Sequence, residues 1–248
     1  DRPTVKVQPP EAALTLPGGA QVAVQSLVFK GQTVLSASVL AEASGFVAGR
    51  SYDLAGLRAL AQAVTDFYRA SGYPFARAFI PPQQFDGGTL RIDVLEGRYG
   101  AVQAVSADAA LAASVQSYLA PLVPGTVIEG DALERVTLLL ADLPGLQTLP
   151  LVRPGTQTGS GDLQVHASRG ATQGGYAALD NHGNYYSGQT RARVGAVFTS
   201  SLLLGDELSV GGVRAADGLW LASVAYGAPV GIDGWRVTAS RVRTRYRL

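Results

Sequence analysis

The chain has 248 residues, a formal net charge of +1 and only 16% charged residues, which gives no general electrostatic case for binding nucleic acid. It contains no cysteine, so disulfide frameworks and cysteine-ligated metals are excluded. Glycine is abundant at 30 residues and mean hydropathy is +0.15, yet no run of about 18 apolar residues exists that would form a membrane-spanning helix. An apolar, glycine-rich, charge-poor chain leaves membrane β-strands as a possibility.

The first part of the chain contains a linker, a strand and two helices. Residues 1–19 are rich in proline and predict an extended linker. Alternating apolar residues predict one strand over residues 21–30, and Ser36 or Ser38 as an N-cap predicts a short helix that continues through Ala43. Apolar residues at 3.6-residue spacing then predict a long helix over residues 53–70, with Asp53 as its N-cap.

The most informative segment follows this helix and reads GYPFARAFIPPQQFDGGTLRIDVLEG, from Gly72 to Gly97. Its two alternating runs, joined by a loop rich in proline and glycine, predict a β-hairpin. The proline pair after Ile80 ends the first strand because proline cannot donate to a ladder. A helix that leads into a hairpin at a sheet edge favours a docking module over an active site.

The same order of elements then repeats. A strand, two helices and two further strands are predicted between Tyr99 and Ala167. We interpret this as two tandem βααββ modules, residues 20–98 and 99–168, in a chain of the α+β class.

Residues 169–248 have a different character. Helical periodicity disappears, and polar turns separate alternating strands. Apolar residues occupy one strand face and polar or basic residues the other, which is typical of an outer-membrane barrel. In the last strand, apolar and basic residues share one parity, which predicts a bulge or face switch near Ser240. The strands are predicted over Gly174–Asp180, Gln189–Ser200, Asp206–Arg214, Leu219–Tyr226 and Trp235–Leu248.

Five strands are too few to close a barrel, since the smallest barrels have about eight. An unpaired strand edge is not viable in lipid. We therefore expect the chain to be the front part of a longer protein, or else to complete a barrel through a strand-mediated oligomer.

The hairpin, with FYRASGY before it and VLEGR at its end, resembles the first POTRA domain of the TpsB transporters, which belong to the Omp85 superfamily. LDNHGNYYSGQTRARVG and the strands after it resemble the start of the TpsB barrel, and residues 99–168 resemble the second POTRA domain more weakly. The resemblance implies two-partner secretion of an adhesin-like or haemolysin-like exoprotein, and in some members its activation. It also implies a barrel in the outer membrane with POTRA domains in the periplasm.

The hairpin is the predicted partner-binding site. The resemblance implies that an extended exoprotein segment is recognised by β-augmentation, in which a strand is added to an exposed sheet edge. The alternative is that the two phenylalanines pack under the helices and the arginine is only solvated. The predicted contact residues are Phe75, Arg77, Phe79, Ile80, Gln83 and Gln84.

Basic residues of the barrel-like strands are predicted to line a hydrophilic pore. The alternative is that they pair with acidic residues of later strands inside a polar lumen. The predicted pore-lining residues are Arg191, Arg193, Arg236, Arg241, Arg243 and Arg245.

No sequence motif predicts catalysis, a cofactor or a metal. Asp180-Asn181-His182-Gly183-Asn184 is interpreted as a turn, because a metal site needs several convergent ligands. His166 has no evident partner in the sequence, and no G-x-S-x-G elbow occurs. Two other functions remain open: an Omp85-type assembly factor for other barrels, and a soluble β-rich binding domain or enzyme.

Overall fold

The computed structural model describes residues 19, 21–183, 185, 188–216 and 218–245. The predicted linker up to residue 18, Asn184 and the last three residues of the predicted final strand lie outside the described residues. No helix within the described ranges is long and apolar enough to cross a membrane. The chain divides into two compact units: the described parts of Asp1–Val102, Pro121–Glu134 and Val152–Gln164 form one, and those of Gln103–Ala120, Arg135–Leu151 and Val165–Leu248 form the other.

The first module contains five strands and two helices, including one strand that the sequence pattern missed. The single strand predicted over residues 21–30 is wrong, because the backbone N–H of Gln25 donates to Gly88 O and the chain changes partner there. The elements are β1 (Val22–Val24), β2 (Ser26–Lys30), α1 (Ala37–Ala43), β3 (Arg50–Tyr52), α2 (Leu54–Ala70), β4 (Arg77–Phe79) and β5 (Thr89–Leu95).

Strands β2, β5 and β4 lie side by side in that order, and β1 pairs separately with β3. β2 runs parallel to β5, whereas β4 is antiparallel to it. Of the two serines predicted as the cap of α1, Ser36 is the one that caps it, since its Oγ accepts from Val39 N. The predicted Asp53 cap of α2 is confirmed, since its Oδ1 accepts from Gly56 N.

The core of this module lies between the apolar stripe of α2 and one face of the β2-β5-β4 sheet. Each fully buried aliphatic side chain stabilises the fold by about 1.5–3 kcal/mol relative to exposure, so this stripe is the main reason for helix docking. The buried residues of α2 and of the sheet include Leu57, Leu60, Val64, Tyr68, Ala76, Ala78, Ile80, Leu90, Ile92 and Val94.

The next segment repeats the arrangement, with strand order β6-β8-β7. In each three-stranded sheet, the strand that comes last in the sequence lies in the middle, between the other two strands, as the predicted repeat requires. Asp108 caps α3 through bonds from Ala110 N and Leu111 N. The elements are β6 (Arg98–Val105), α3 (Ala109–Tyr118), α4 (Gly130–Ala141), β7 (Leu146–Pro154) and β8 (Ser160–Arg169).

The last five strands form one antiparallel sheet in the order β13-β12-β11-β10-β9. The β12–β13 register is continuous through the whole of β13, so the predicted bulge or face switch near Ser240 is wrong. The strands are β9 (Gln173–Asp180), β10 (Arg191–Thr199), β11 (Glu207–Ala215), β12 (Trp220–Val230) and β13 (Trp235–Arg245).

Directly opposite residues of paired strands lie on the same side of a sheet, so the register defines two faces. The apolar face carries Val194, Val210, Val224 and Val237, and the polar face carries Asp180, Arg191, Ser209 and Ser223.

Candidate functional site

The predicted contact residues of the hairpin divide between its two faces. Phe75, Arg77 and Phe79 are half-buried, and Arg77 and Phe79 alternate with the buried Ala78 along β4. Ala78 and Ile80 point the other way and are only 7% and 6% exposed. Neither phenylalanine belongs to the core cluster of this module, which argues against the alternative in which both pack under the helices. Ile80 lies in the core, so its side chain is not accessible to a partner as the other predicted contact residues are.

The outer edge of β4 is already hydrogen-bonded. Thr65 of α2 is buried at 3% exposure, and its Oγ1 accepts from Ala78 N at 2.9 Å while donating to Ala61 O at 3.1 Å. Ala76 N donates to Tyr73 O at 3.1 Å. Although β4 is an edge strand in the sheet order, these bonds occupy amides that β-augmentation requires. The expected free backbone edge at β4 is therefore wrong.

Gln83 has a structural role that the sequence did not reveal. Its Nε2 donates to Arg91 O at 2.8 Å, and its Oε1 accepts from Arg91 N at 2.8 Å. β4 ends at Phe79, before Pro81. Beyond that point, the side-chain amide of Gln83 pairs with the backbone of β5 in place of a strand. Gln84 is exposed and is the loop glutamine available to a partner.

Glu96 is the most strongly bound carboxylate of the first module and was missed as a key residue. It is 3% exposed and accepts from the backbone N–H groups of Thr33 and Val34, from Tyr68 Oη at 3.1 Å and from Arg98 at 3.0 Å. Burial raises the pKa of Glu96, but the hydrogen bonds, those from Thr33 foremost, outweigh it and hold this pKa below its usual value.

The glycine and arginine of VLEGR complete this cluster. Gly97 has a φ of 71°, and a Cβ there would lie 2.6 Å from the Cβ of Phe75, so only glycine fits. Arg98 donates to Thr33 Oγ1 at 2.6 Å and to Gly125 O at 2.9 Å. These bonds connect the start of β6 to the loop before α1 and to the turn before α4. The motif therefore fixes the backbone around the hairpin.

The six predicted pore arginines do not share one face. Arg191 and Arg193 lie on the polar face and pair with Asp180 at 2.9 and 2.7 Å. Arg236, on the same face, donates to the carbonyls of Gly205 and Gly227 at 2.8 and 3.3 Å. The remaining three lie on the apolar face because the β12–β13 register is unbroken. Arg241, Arg243 and Arg245 therefore do not share a face with Arg191, Arg193 and Arg236.

The β10–β11 turn is held together by Asp206 and attached by Ser200 to the loop that follows α4. Asp206 is 1% exposed and accepts from three consecutive backbone N–H groups, those of residues 201, 202 and 203. Ser200 Oγ donates to Pro144 O at 2.6 Å. In the β12–β13 turn, Asp233 pairs with Arg135 of α4 at 3.6 Å. The strand ends that carry these turns therefore face the helical part of the same unit.

The Asp180–Asn184 segment behaves as a turn in its described part. Asp180 Oδ1 accepts from His182 N at 3.1 Å, and Gly183 N donates to Gln189 O at 2.8 Å. Within residues 19, 21–183, 185, 188–216 and 218–245, no group of three or more potential ligand side chains could hold a metal ion.

Comparison with known proteins shows which domain the chain contains and which transporters it resembles. Residues 22–97 match the model of the POTRA domain, ShlB-type. The chain is 30% identical over 164 residues to the heme/hemopexin transporter protein HuxB of Haemophilus influenzae (strain 86-028NP), covering 65% of this chain and 29% of that protein. It is 30% identical over 200 residues to the outer membrane transporter CdiB of Escherichia coli, covering 78% of this chain and 33% of that protein. It thus spans about a third of the curated relatives it matches.

A solved structure of CdiB from Escherichia coli superimposes with a TM-score of 0.71 at 23% identity, covering 94% of this chain and 49% of that one. This similarity extends the shared fold beyond the family match into the antiparallel strands. Residues 22–97 therefore match a ShlB-type POTRA domain, and the chain is similar to about a third of the outer-membrane transporters HuxB and CdiB.

Proposed function

We propose that this chain is the receiving part and the first pore strands of a two-partner secretion transporter. Residues 20–98 and 99–168 are two periplasmic POTRA domains, and residues 169–248 begin the outer-membrane barrel. The observation that carries the proposal is the continuity of a ShlB-type POTRA domain with an antiparallel sheet that has one apolar and one polar face. The chain acts by binding and guiding a polypeptide, not by catalysis.

The client is a secreted exoprotein of the adhesin or haemolysin type, received in extended form. Phe75, Arg77 and Phe79 present side chains on the half-exposed face of the hairpin, and Gln84 extends this surface into the loop. Backbone pairing is less favourable at β4, where Thr65 occupies the Ala78 amide. The other outer strand of this sheet, β2, is the better position for β-augmentation because β5 is its only strand partner among the described residues.

The polar face of the barrel strands lines the path of the client. Arg191, Arg193 and Arg236 lie on it, and Asp180 offsets part of their charge. The two outer strands of the sheet, β9 and β13, each have one partner among the described strands. They pair with further strands of a complete barrel or with another copy of the chain, because lipid does not tolerate a free edge.

The test is retention of the client's secretion domain by the transporter with Arg77→Glu. Charge reversal at the contact face should weaken binding by about tenfold or more, as for the loss of a central interface arginine. Arg58→Glu, at an exposed position of α2, is the matched control and should bind like the unmodified protein. Equal binding by all three proteins would refute the hairpin as the receiving site.

A further inference from the structure

A cluster of arginines lies where an apolar surface is expected. The register places Arg241 opposite Val224, Arg243 opposite Ala222 and Arg245 opposite Trp220. Arg214 lies opposite Trp220 from the other side. All four arginines therefore lie on the apolar face, and three of them surround one tryptophan at the same end of the sheet. A strand added beside β13 would leave these faces unchanged, because alternation along the strand fixes them.

The two tryptophans of the chain indicate where the arginine cluster lies across the membrane. Trp235 and Trp220 both lie on the apolar face, at opposite ends of the β12–β13 pair. The 11 residues of β13 extend about 35 Å at roughly 3.4 Å per residue. A tilt of about 45° reduces this to about 25 Å, the height of an apolar band between two aromatic girdles. Trp220 therefore lies at one membrane interface and Trp235 at the other.

The cluster belongs to the interface away from the periplasm. The turn beside Trp235 contains Asp233, which pairs with Arg135 of α4, so this end faces the POTRA side. The Trp220 end is then at the outer leaflet. Arg243 and Arg245 are close enough to that interface to extend their guanidinium groups into the headgroup layer, and Arg241 reaches it along its aliphatic stem.

These arginines also differ from those of the polar face in their partners. Among the ion pairs of the described residues, none involves Arg214, Arg241, Arg243 or Arg245. The guanidinium of Arg243 lies 5.9 Å from the centre of the Trp220 ring, which orients it at the interface. Unpaired positive charge on a lipid-facing surface is unfavourable unless an anion accompanies it.

We propose that Arg214, Arg241, Arg243, Arg245 and Trp220 form a binding site for a phosphorylated glycolipid of the outer leaflet. Guanidinium groups bind phosphate oxygens bidentately, and Trp220 packs beside the sugar and the first acyl carbons. The inference depends on the proposed barrel location, but not on how the client is recognised.

The experiment measures how much diphosphoryl lipid A remains bound to the detergent-purified transporter after gel filtration, by mass spectrometry. An Arg243→Gln/Arg245→Gln double variant should bind about 25-fold less, because each arginine near an anionic lipid surface contributes a factor of about five. Arg58→Gln/Arg69→Gln removes the same charge from exposed positions of α2 and should retain the lipid fully.

Two further arms use the unmodified protein, so they do not depend on folding of the variant. Dephosphorylated lipid A should bind about tenfold less, and millimolar inorganic phosphate should not displace diphosphoryl lipid A. Equal retention by the double variant, equal binding of dephosphorylated lipid, or displacement by free phosphate would each overturn the lipid site. Absence of the transporter from the outer-membrane fraction would overturn both this inference and the proposed function, whereas failed client binding would leave the lipid site unaffected.

Discussion

Replacing Glu96 by glutamine tests whether VLEGR fixes the first POTRA domain. The carboxylate accepts bonds from Thr33, Val34, Tyr68 and Arg98. A glutamine NH₂ placed at Oε2 would meet the Arg98 donor, and the remaining bonds would lose their charge assistance. One lost bond to a charged group costs about 1.5–3 kcal/mol, and a donor left unsatisfied in a buried site adds to it. We expect a loss of about 3 kcal/mol in local stability.

Hydrogen exchange with peptide resolution is the suitable assay, because the two tryptophans lie in β12 and β13 and their fluorescence would not report on this domain. A loss of about 3 kcal/mol corresponds to roughly 150-fold faster exchange, at tenfold per 1.4 kcal/mol. The effect should appear in peptides covering residues 31–36 and 92–98. Glu42→Gln, at an exposed position of α1, is the control and should exchange like the unmodified protein. Less than threefold faster exchange in Glu96→Gln would refute the reasoning.

Two further predictions concern the same module. Because the pKa of Glu96 is lowered in the folded state, its contribution to stability is fully present above the unfolded value of about 4.3 and is lost as pH falls through the folded value. Exchange, corrected for its intrinsic pH dependence, should therefore accelerate below about pH 4.3 in the unmodified protein, and an identical acid response in Glu96→Gln would contradict this. Gln83→Ala should destabilise the hairpin by about 1–3 kcal/mol, since it leaves the N–H and C=O of Arg91 without their side-chain partner. The measurement is hydrogen exchange of the β5 amides as a function of urea concentration, and Gln84→Ala is the control that should change it little. Equal effects of the two substitutions would show that the pairing of the Gln83 side chain with β5 does not stabilise the hairpin.

The elements that the sequence predicted well are those set by local periodicity. α2 begins after its Asp53 cap and carries its apolar residues on one stripe, and the barrel strands alternate as their sequences do. The strand over residues 21–30 failed because its division depends on partners distant in the chain: β3 for β1 and β5 for β2. No local pattern in residues 21–30 reports that change of partner.

The candidate sites show the same limit. Alternation placed Phe75, Arg77 and Phe79 on one face of the hairpin, but it did not reveal that Thr65 occupies the outer edge of β4. Likewise, the sequence showed that Arg241 and Val237 are separated by an even number of positions and would lie on one face of a regular strand. The bulge or face switch expected from this is wrong, because the β12–β13 register is unbroken. Packing and pairing between distant segments decided both points.

The sequence by itself determined the class of the chain: a repeated α+β module followed by alternating strands, with no cysteine and little charge. These properties follow from residue spacing and composition, which act locally along the chain. Only the tertiary structure decided that Glu96 holds the loop before α1 against α2, that Gln83 completes the ladder of β5, and that the six arginines divide between two faces. The physical reason is that hydrogen bonds and strand register join residues far apart in sequence, whereas periodicity describes only near neighbours.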